Sequence, residues 1–267
     1  MAKAKKKELT TANDNVPAYL KEYSDNVEGV DQLSEFVRPP RIKMIQKSAS
    51  DELLDKFSVG DCVIMPQEIL VCSKGESITF TPIYFFPEWI IRNPWALKDL
   101  PMIHDRSRDP QSEIAKRARN RDTWFEDIEG TSNDKNGGKP HQRQYVEVLN
   151  FIGMIHGVEG LENTPVLFSN SKGAWKHGSN LASMVKMRGQ SIYACNFKLT
   201  SKAFEGSGNT YYAMEPSNPE ETPFVETEEE FLRNKEFHAL FSETQIEAEY
   251  DDPDKEAAEA DGSTTEF

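Results

Sequence analysis

The residues best suited to bind a ligand lie in residues 163–204, a stretch without Asp or Glu. Its six cations are Lys172, Lys176, Lys186, Arg188, Lys198 and Lys202. Interleaved with them are the aromatic residues Phe168, Trp175, Tyr193, Phe197 and Phe204. Lysine and arginine bind phosphates, and aromatic rings stack on unpaired bases with about 1–3 kcal/mol per base. The combination predicts binding of single-stranded nucleic acid.

Trp175 is the strongest single candidate for base stacking. It lies in the segment SNSKGAWKHGSN, which is rich in Gly and Ser and predicts a loop, and it is flanked by Lys172 and Lys176. Aromatic residues in loops seldom have a core to fill, so we expect the indole to be available to a base. Tyr193 lies on a predicted strand, where stacking on a base and packing in the core both remain open.

Two other segments add candidate contacts. Residues 37–50 also lack acids and contain Lys43. The segment IYFFPEWIIRNPW contributes Trp89 and Arg92, although its apolar density favours core packing. The contacts expected with DNA are therefore Lys43, Trp89, Arg92, Lys172, Trp175, Lys176, Lys186, Arg188, Tyr193 and Lys198.

Signals for catalysis are weak. Gly138-Lys139 is followed by Pro140, so no phosphate-binding GxxxxGK[ST] loop is formed. The three cysteines lack CxxC spacing, and the five histidines lack the i, i+4 pairing of a zinc site. Asp109, Glu113 and Lys116 have the spacing of an exposed helix face. We expect no enzyme activity, metal or cofactor, and a metal-dependent nuclease using carboxylates between residues 105 and 113 is the weaker alternative.

Net charge does not exclude a nucleic-acid partner. The chain of 267 residues has a formal charge of −14, and residues 216–267 alone account for this excess of acids. Residues 1–215 are therefore electrically neutral overall. The acidic and basic parts of the chain are separate in sequence, so each must be considered by itself.

Composition and periodicity divide the chain into four parts. We expect a flexible basic arm at residues 1–35, a single β-rich nucleic-acid-binding domain at 36–215 with an insertion around 92–140, a linker and helix at 216–242, and a disordered acidic tail at 243–267. The domain is predicted to be β-rich α+β, an OB-fold-like Greek-key barrel with insertions, and other β-rich α+β folds remain open. No apolar run approaches the roughly 18 residues of a membrane span, so a cytoplasmic protein is expected.

The end of the chain resembles a known family. Residues 243–267 carry ten acids and one lysine and close on Thr265-Glu266-Phe267. An acidic tail that ends in Phe is similar to those of bacterial and phage single-stranded DNA-binding proteins, especially the T7-type phage proteins, which pair one OB-fold with such a tail. The bacterial tails end in Ile-Pro-Phe, which this chain lacks.

The resemblance implies a function for the tail. In that family the tail competes with DNA for the basic groove and recruits polymerases and other replication proteins through its terminal aromatic ring. Phe267, Glu266 and Asp261 are the residues expected to bind partners such as a DNA polymerase or helicase.

The sequence therefore predicts a phage single-stranded DNA-binding protein that coats and protects DNA in replication, recombination and repair, in the cytoplasm of the host cell. The alternative from another class is a phage structural or interaction protein that does not bind nucleic acid. In that protein the acidic end would only provide solubility, and the aromatic residues would fill the core.

Overall fold

The computed structural model describes residues 39–94, 96–133, 137–206 and 209–243, together with Ile246 and Ala248. The strands are β1 (Arg41–Met44), β2 (Cys62–Met65), β3 (Ile69–Cys72), β4 (Ser77–Arg92), β5 (Ile103–Ser107), β6 (Phe125–Asp127), β7 (Gln142–His156), β8 (Val166–Ser171), β9 (Phe197–Gly206) and β10 (Asn209–Ser217). The α-helices are α1 (Asp51–Lys56), α2 (Glu113–Arg119), α3 (Trp175–Arg188) and α4 (Glu228–Glu243). Short 3-10 turns occupy Arg121–Thr123, Lys172–Ala174 and Ile192–Ala194.

The expectation of a β-rich protein with a few helices is confirmed. The predicted basic arm lies outside the described residues.

The strands form one sheet in the order β10-β9-β4-β7-β8-β1-β2-β3, with β5 added beside β4 and β6 beside β7. Neighbouring strands are antiparallel, except that β1 and β8 run parallel. Four strands lie between β10 and β1 in this order, yet residues of β10 and β1 come into contact. The sheet is therefore strongly curled, and β10 returns towards β1.

One side-chain amide bridges the seam between β10 and the end of β1. Gln46 Nε2 donates to the carbonyl oxygen of Tyr212 at 2.8 Å, and the Tyr212 N–H donates to Gln46 Oε1 at 2.9 Å. The amide thus offers the edge of β10 the same donor and acceptor that a backbone peptide would offer. Nearby, Ser201 Oγ on β9 donates to the Gly60 carbonyl oxygen at 2.5 Å.

The curl depends on a close crossing of β4 and β7. The pairing of these strands shifts between Pro82 and Tyr84, and Pro82 pairs with Gly153. A Cβ at Gly153 would lie 2.4 Å from the Thr81 carbonyl oxygen. Only glycine allows this approach, and a bulge of this kind bends a strand and increases its twist.

The main core lies inside the curl, where apolar residues from the strands meet one face of α3. Phe80, Phe151 and Phe197 are fully buried there, and Leu181 of α3 packs against the same cluster. α3 therefore closes one end of the curled sheet. A smaller cluster joins α2 to the outer parts of β4 and β7 through Ala115 and Ala118, so the predicted insertion is built on extensions of the two longest strands.

The C-terminal helix is confirmed, and the chain remains attached to the sheet beyond it. Ile246 and Ala248 are buried against a cluster formed by Phe86, Ile152 and Leu167. The Arg108 guanidinium donates to the carbonyl oxygen of residue 246, and Arg106 Nη1 donates to that of residue 248 at 3.4 Å. Within the predicted tail at 243–267, Ile246 and Ala248 thus have apolar partners that composition does not reveal, and most of the other tail residues lie outside the described residues.

Most predicted elements lie close to their expected positions, and two differ locally. The segment predicted as a loop around Trp175 contains a 3-10 turn and the start of α3, and the strand predicted around Tyr193 is a 3-10 turn there, with β9 beginning at Phe197. In the described part of the chain, no helix has both the length and the apolar character needed to cross a bilayer.

Replacing Gln46 by Glu tests the bridge across the seam. Glu is nearly isosteric but has no donor for the Tyr212 carbonyl oxygen, so we expect the free energy of unfolding to fall by about 1–3 kcal/mol. Urea unfolding followed by circular dichroism measures the change. Gln67→Glu, at an exposed position, is the matched control and should have little effect. Equal stability of Gln46→Glu and wild type would show that the seam does not depend on this amide.

Candidate nucleic-acid interface

A cleft of about 490 Å³ lies along the seam between β10 and β1. Its walls come from β1, β8 and β10, together with Val148 of β7, the ends of β4 and β9 and the turn Lys172–Ala174. Most of these segments are far apart in sequence and are brought together by the curl of the sheet. The cleft is an open groove lined by both apolar and polar side chains.

The charged residues that line the cleft all carry positive charge. They are Arg41, Lys43, Arg92 and Lys172, and none of the described lining residues is Asp or Glu. Lys43 and Arg92 are only 7% and 9% exposed, so their charges lie at the walls of the cleft and not on the open surface. Cations in a cleft with low-dielectric walls concentrate positive potential, which favours an anionic ligand.

Tyr211 forms an aromatic wall of the cleft. Its ring packs against two glycines, because a Cβ at Gly173 would lie 3.0 Å from the ring and one at Gly206 would lie 3.2 Å from it. Its hydroxyl donates to the Gly173 carbonyl oxygen at 3.1 Å, and its ring stacks on Phe204 with 5.8 Å between centroids. The ring is therefore held in a fixed orientation while part of its surface remains accessible.

The start of α3 places three predicted contacts at or near one end of the cleft. Lys172 lines the cleft and has a left-handed backbone conformation with φ of 48°. Trp175 is 38% exposed and Lys176 is exposed. Trp175 is the first residue of the helix and not part of a loop, because the turn Lys172–Ala174 leads directly into α3.

The other predicted cations lie away from this end of the cleft. Lys186 and Arg188 are in the last turn of α3. A helix of 14 residues is about 20 Å long, so α3 separates them from Lys172 by roughly that distance. Arg188 donates to Asn218 Oδ1 at 2.9 Å and stacks over Phe224.

Lys198 is exposed near the start of β9, beside Ser217 and Thr79 of the neighbouring strands. Like Lys186 and Arg188, it does not line the cleft. The structure therefore divides the predicted cations into a group at the cleft and a group elsewhere on the protein.

Two predicted aromatic contacts pack against the protein itself. Trp89 is 1% exposed, its Nε1 donates to Glu147 Oε1 at 3.0 Å, and Arg119 covers its ring. Tyr193 packs against Phe231 and His238 of α4, with 5.3 Å between ring centroids in each pair. The Trp89 ring therefore offers no free face to a base, and the Tyr193 ring helps to hold α4 on the domain.

Sequence reasoning did not single out Arg41 or Tyr211 as contacts. Arg41 lies in the acid-free residues 37–50, so its charge signal was present although only Lys43 was selected. Tyr211 lies on a strand without neighbouring cations in sequence. The pairing of Tyr211 with Phe204 on β9 brings it to the cleft, and this register has no local sequence signal.

The carboxylates considered for a nuclease serve local structure. Lys116 Nζ pairs with Glu113 at 2.5 Å on α2, and Asp109 Oδ1 accepts from the Gln111 N–H at 2.9 Å. Across the described ranges, no three His, Cys, Asp or Glu side chains are grouped in a way that could hold a metal ion.

His177 lies near the cleft. Burial lowers the pKa of its imidazole, which favours the neutral form.

Replacing Gly173 by Ala tests how the Tyr211 ring is held. The added methyl group meets the ring, so we expect the free energy of unfolding to fall by about 1–3 kcal/mol. In a Tyr211→Ala background the ring is absent, and the same substitution should cost less than about 0.5 kcal/mol. Thermal or urea unfolding of the four proteins gives the coupling. Equal costs in both backgrounds would contradict the described packing.

Comparisons with models of protein families, with curated proteins and with solved structures find no match for this chain. The function must therefore be argued from the chemistry of the cleft itself. Four cations, an ordered tyrosine ring and the start of a helix are the features that any ligand of the cleft would meet.

Proposed function

We propose that the protein binds single-stranded DNA in the cleft between β1 and β10. The observation that carries this proposal is the lining, which combines four cations and the Tyr211 ring with no acid among its described residues. The cations suit phosphates of the backbone, and the ring suits a base. A base in a duplex is already stacked and paired, so an aromatic wall favours a single strand.

We further propose that the curled sheet is an OB-type barrel. Taken in chain order, β4, β7, β8, β9 and β10 have the neighbours of OB strands one to five, because β4 lies between β7 and β9, β8 follows β7, and β10 follows β9. α3 lies between the third and fourth of these strands, and β1 adds a strand next to the third.

This assignment agrees with the position of the cleft. OB-folds bind oligonucleotides on the face of strands two and three, and in the loops after strands one and four. Val148 lies on the second strand, Ser169 on the third and Arg92 at the end of the first, and all three line the cleft. Gly206 lines it at the start of the loop between the fourth and fifth strands.

In the proposed function the protein coats and protects single-stranded DNA of a phage during replication, recombination and repair. The acidic end would bind replication proteins such as a DNA polymerase or helicase. Phe267, Glu266 and Asp261 lie outside the described residues, so this part rests on the resemblance of the tail alone. A structural or interaction protein and a metal-dependent nuclease are the outcomes that the experiments below distinguish.

A comparison of Lys172, in the turn before α3, with Lys186, in the last turn of α3, tests the proposed cleft. We expect fluorescent oligo(dT) to bind in preference to a duplex of equal length, with affinity that falls as salt is added. Lys172→Ala should weaken binding by about 1 kcal/mol, roughly fivefold, and lower the salt slope by about 0.7. Lys186→Ala removes the same charge from the other end of α3 and should change both quantities little.

Other outcomes of this experiment identify the alternatives. Absence of oligo(dT) binding at low salt would favour the structural or interaction protein. Cleavage of the oligonucleotide that appears only with magnesium would favour the nuclease. Equal losses for Lys172→Ala and Lys186→Ala would show that DNA also follows the far end of α3, where the sequence placed several contacts.

Truncation of the acidic end tests its proposed competition with DNA. Deletion of residues 251–267 removes seven acids and one lysine but keeps Ile246 and Ala248, which are packed in the domain. A tethered tail has an effective concentration that reaches about millimolar, so deletion should tighten oligo(dT) binding most at low salt. Fluorescence anisotropy at two salt concentrations measures this effect.

Phe267→Ala separates competition from partner binding. The charge of the tail is unchanged, so DNA affinity should stay close to that of wild type. Capture of a purified replication polymerase by the protein should be lost, because the terminal ring is removed. A truncated protein with unchanged DNA affinity and unchanged partner binding would leave the tail as a solubilising segment.

A further inference from the structure

The N-terminus of α3 opens onto the cleft and is not capped by a side chain. α3 has 14 residues, no acid in its first turn, and no capping bond from Ala174. Ser171, which precedes the 3-10 turn, also makes no capping bond. The Trp175 N–H donates to the Lys172 carbonyl oxygen of the preceding 3-10 turn. The other N–H groups of the first turn carry partial positive charge. Lys172, Gly173 and Ala174 line the cleft at this point.

Asn170 supplies a second and independent indication of a ligand. It is 1% exposed and lines the same cleft. Its Nδ2 has no hydrogen-bond partner among the residues that the structure describes. A buried amide donor without an acceptor is costly, and a bound ligand with an acceptor oxygen would remove the cost.

The packing of Asn170 against Gly178 brings β8 and α3 close together. A Cβ at Gly178 would lie 2.6 Å from Asn170 Cβ, so glycine is needed in the first turns of α3. Asn170 is thus held against the start of the helix. His177, also in the first turn, is 6% exposed and has an Nδ1 without a partner among the described residues.

We propose that the N-terminus of α3 and the Asn170 amide bind one phosphate of the ligand, with Lys172 and Lys176 as its countercharges. The inference rests on the proposed function, in which this phosphate is a phosphodiester of the DNA strand. Free phosphate has the same acceptor oxygens and is the alternative source. Helix N-termini bind phosphate through the same N–H groups and dipole.

A pair of substitutions at Ala174 tests the site by charge alone. Ala174→Asp places a carboxylate at the start of the helix, where it favours the helix but repels a phosphate. We expect a melting temperature at or above that of wild type together with about tenfold weaker oligo(dT) binding. Ala174→Asn can cap the same N–H groups without the charge, so it should bind less tightly than wild type but clearly more tightly than Ala174→Asp.

Two results with the Ala174 variants would contradict the proposed phosphate site. Wild-type affinity of Ala174→Asp would show that no phosphate lies at the helix start. Equal losses for Asp and Asn would show that a negative charge at the helix start does not repel the ligand, so no phosphate lies there. Neither result alters the oligo(dT) binding of the wild-type protein, so the proposed function is judged separately.

Amide resonances of the wild-type protein provide a test that needs no variant. Titration with oligo(dT) should shift the N–H signals of Lys176 and His177, and titration with inorganic phosphate should shift the same signals at higher concentration. Oligo(dT) binding without these shifts would remove the site and leave the proposed function. Shifts with phosphate but no oligo(dT) binding would support a site for free phosphate and remove the proposed function. No response to either ligand would remove both.

Discussion

The structure depends on how the curled sheet is held at the seam between β10 and β1. Gln46 bridges this seam with two hydrogen bonds to the backbone of Tyr212. β10 and β1 are not paired directly, and the Gln46 amide makes the hydrogen bonds that hold the two edges close together. The cleft lies along the same seam, and the accessible side chains of β1 and β10 become its walls.

Helix α3 combines two roles because of small residues at its start. Leu181 fills the end of the core, and Gly178 allows the first turns to lie directly on Asn170 of β8. Gly173 provides the surface on which the Tyr211 ring rests. The same contacts that close one end of the curled sheet therefore fix the aromatic wall and the helix N-terminus relative to each other, which is the preorganisation that a binding site requires.

Charge is separated along the chain in a way that agrees with the proposed function. The cleft gathers cations from β1, from the end of β4 and from the turn before α3, while the whole acidic excess follows residue 215. Ile246 and Ala248 hold the beginning of the acidic end on the sheet through Arg106 and Arg108, and both arginines also pair with Glu88. The folded domain thus holds the first part of the acidic segment in place.

The amino-acid sequence alone was enough to predict the β-rich class, the C-terminal helix and the acid-free stretches, because periodicity and composition are local properties. It did not determine which cations share a surface. Lys172 and Lys186 belong to one acid-free stretch, but a helix places them about 20 Å apart. Arg41 and Tyr211 are far apart in sequence and line one cleft, because strand register and the curl of the sheet bring them together. Trp89 was a candidate contact, but its ring is buried beneath Arg119. Only the fold decides which face of a strand is covered.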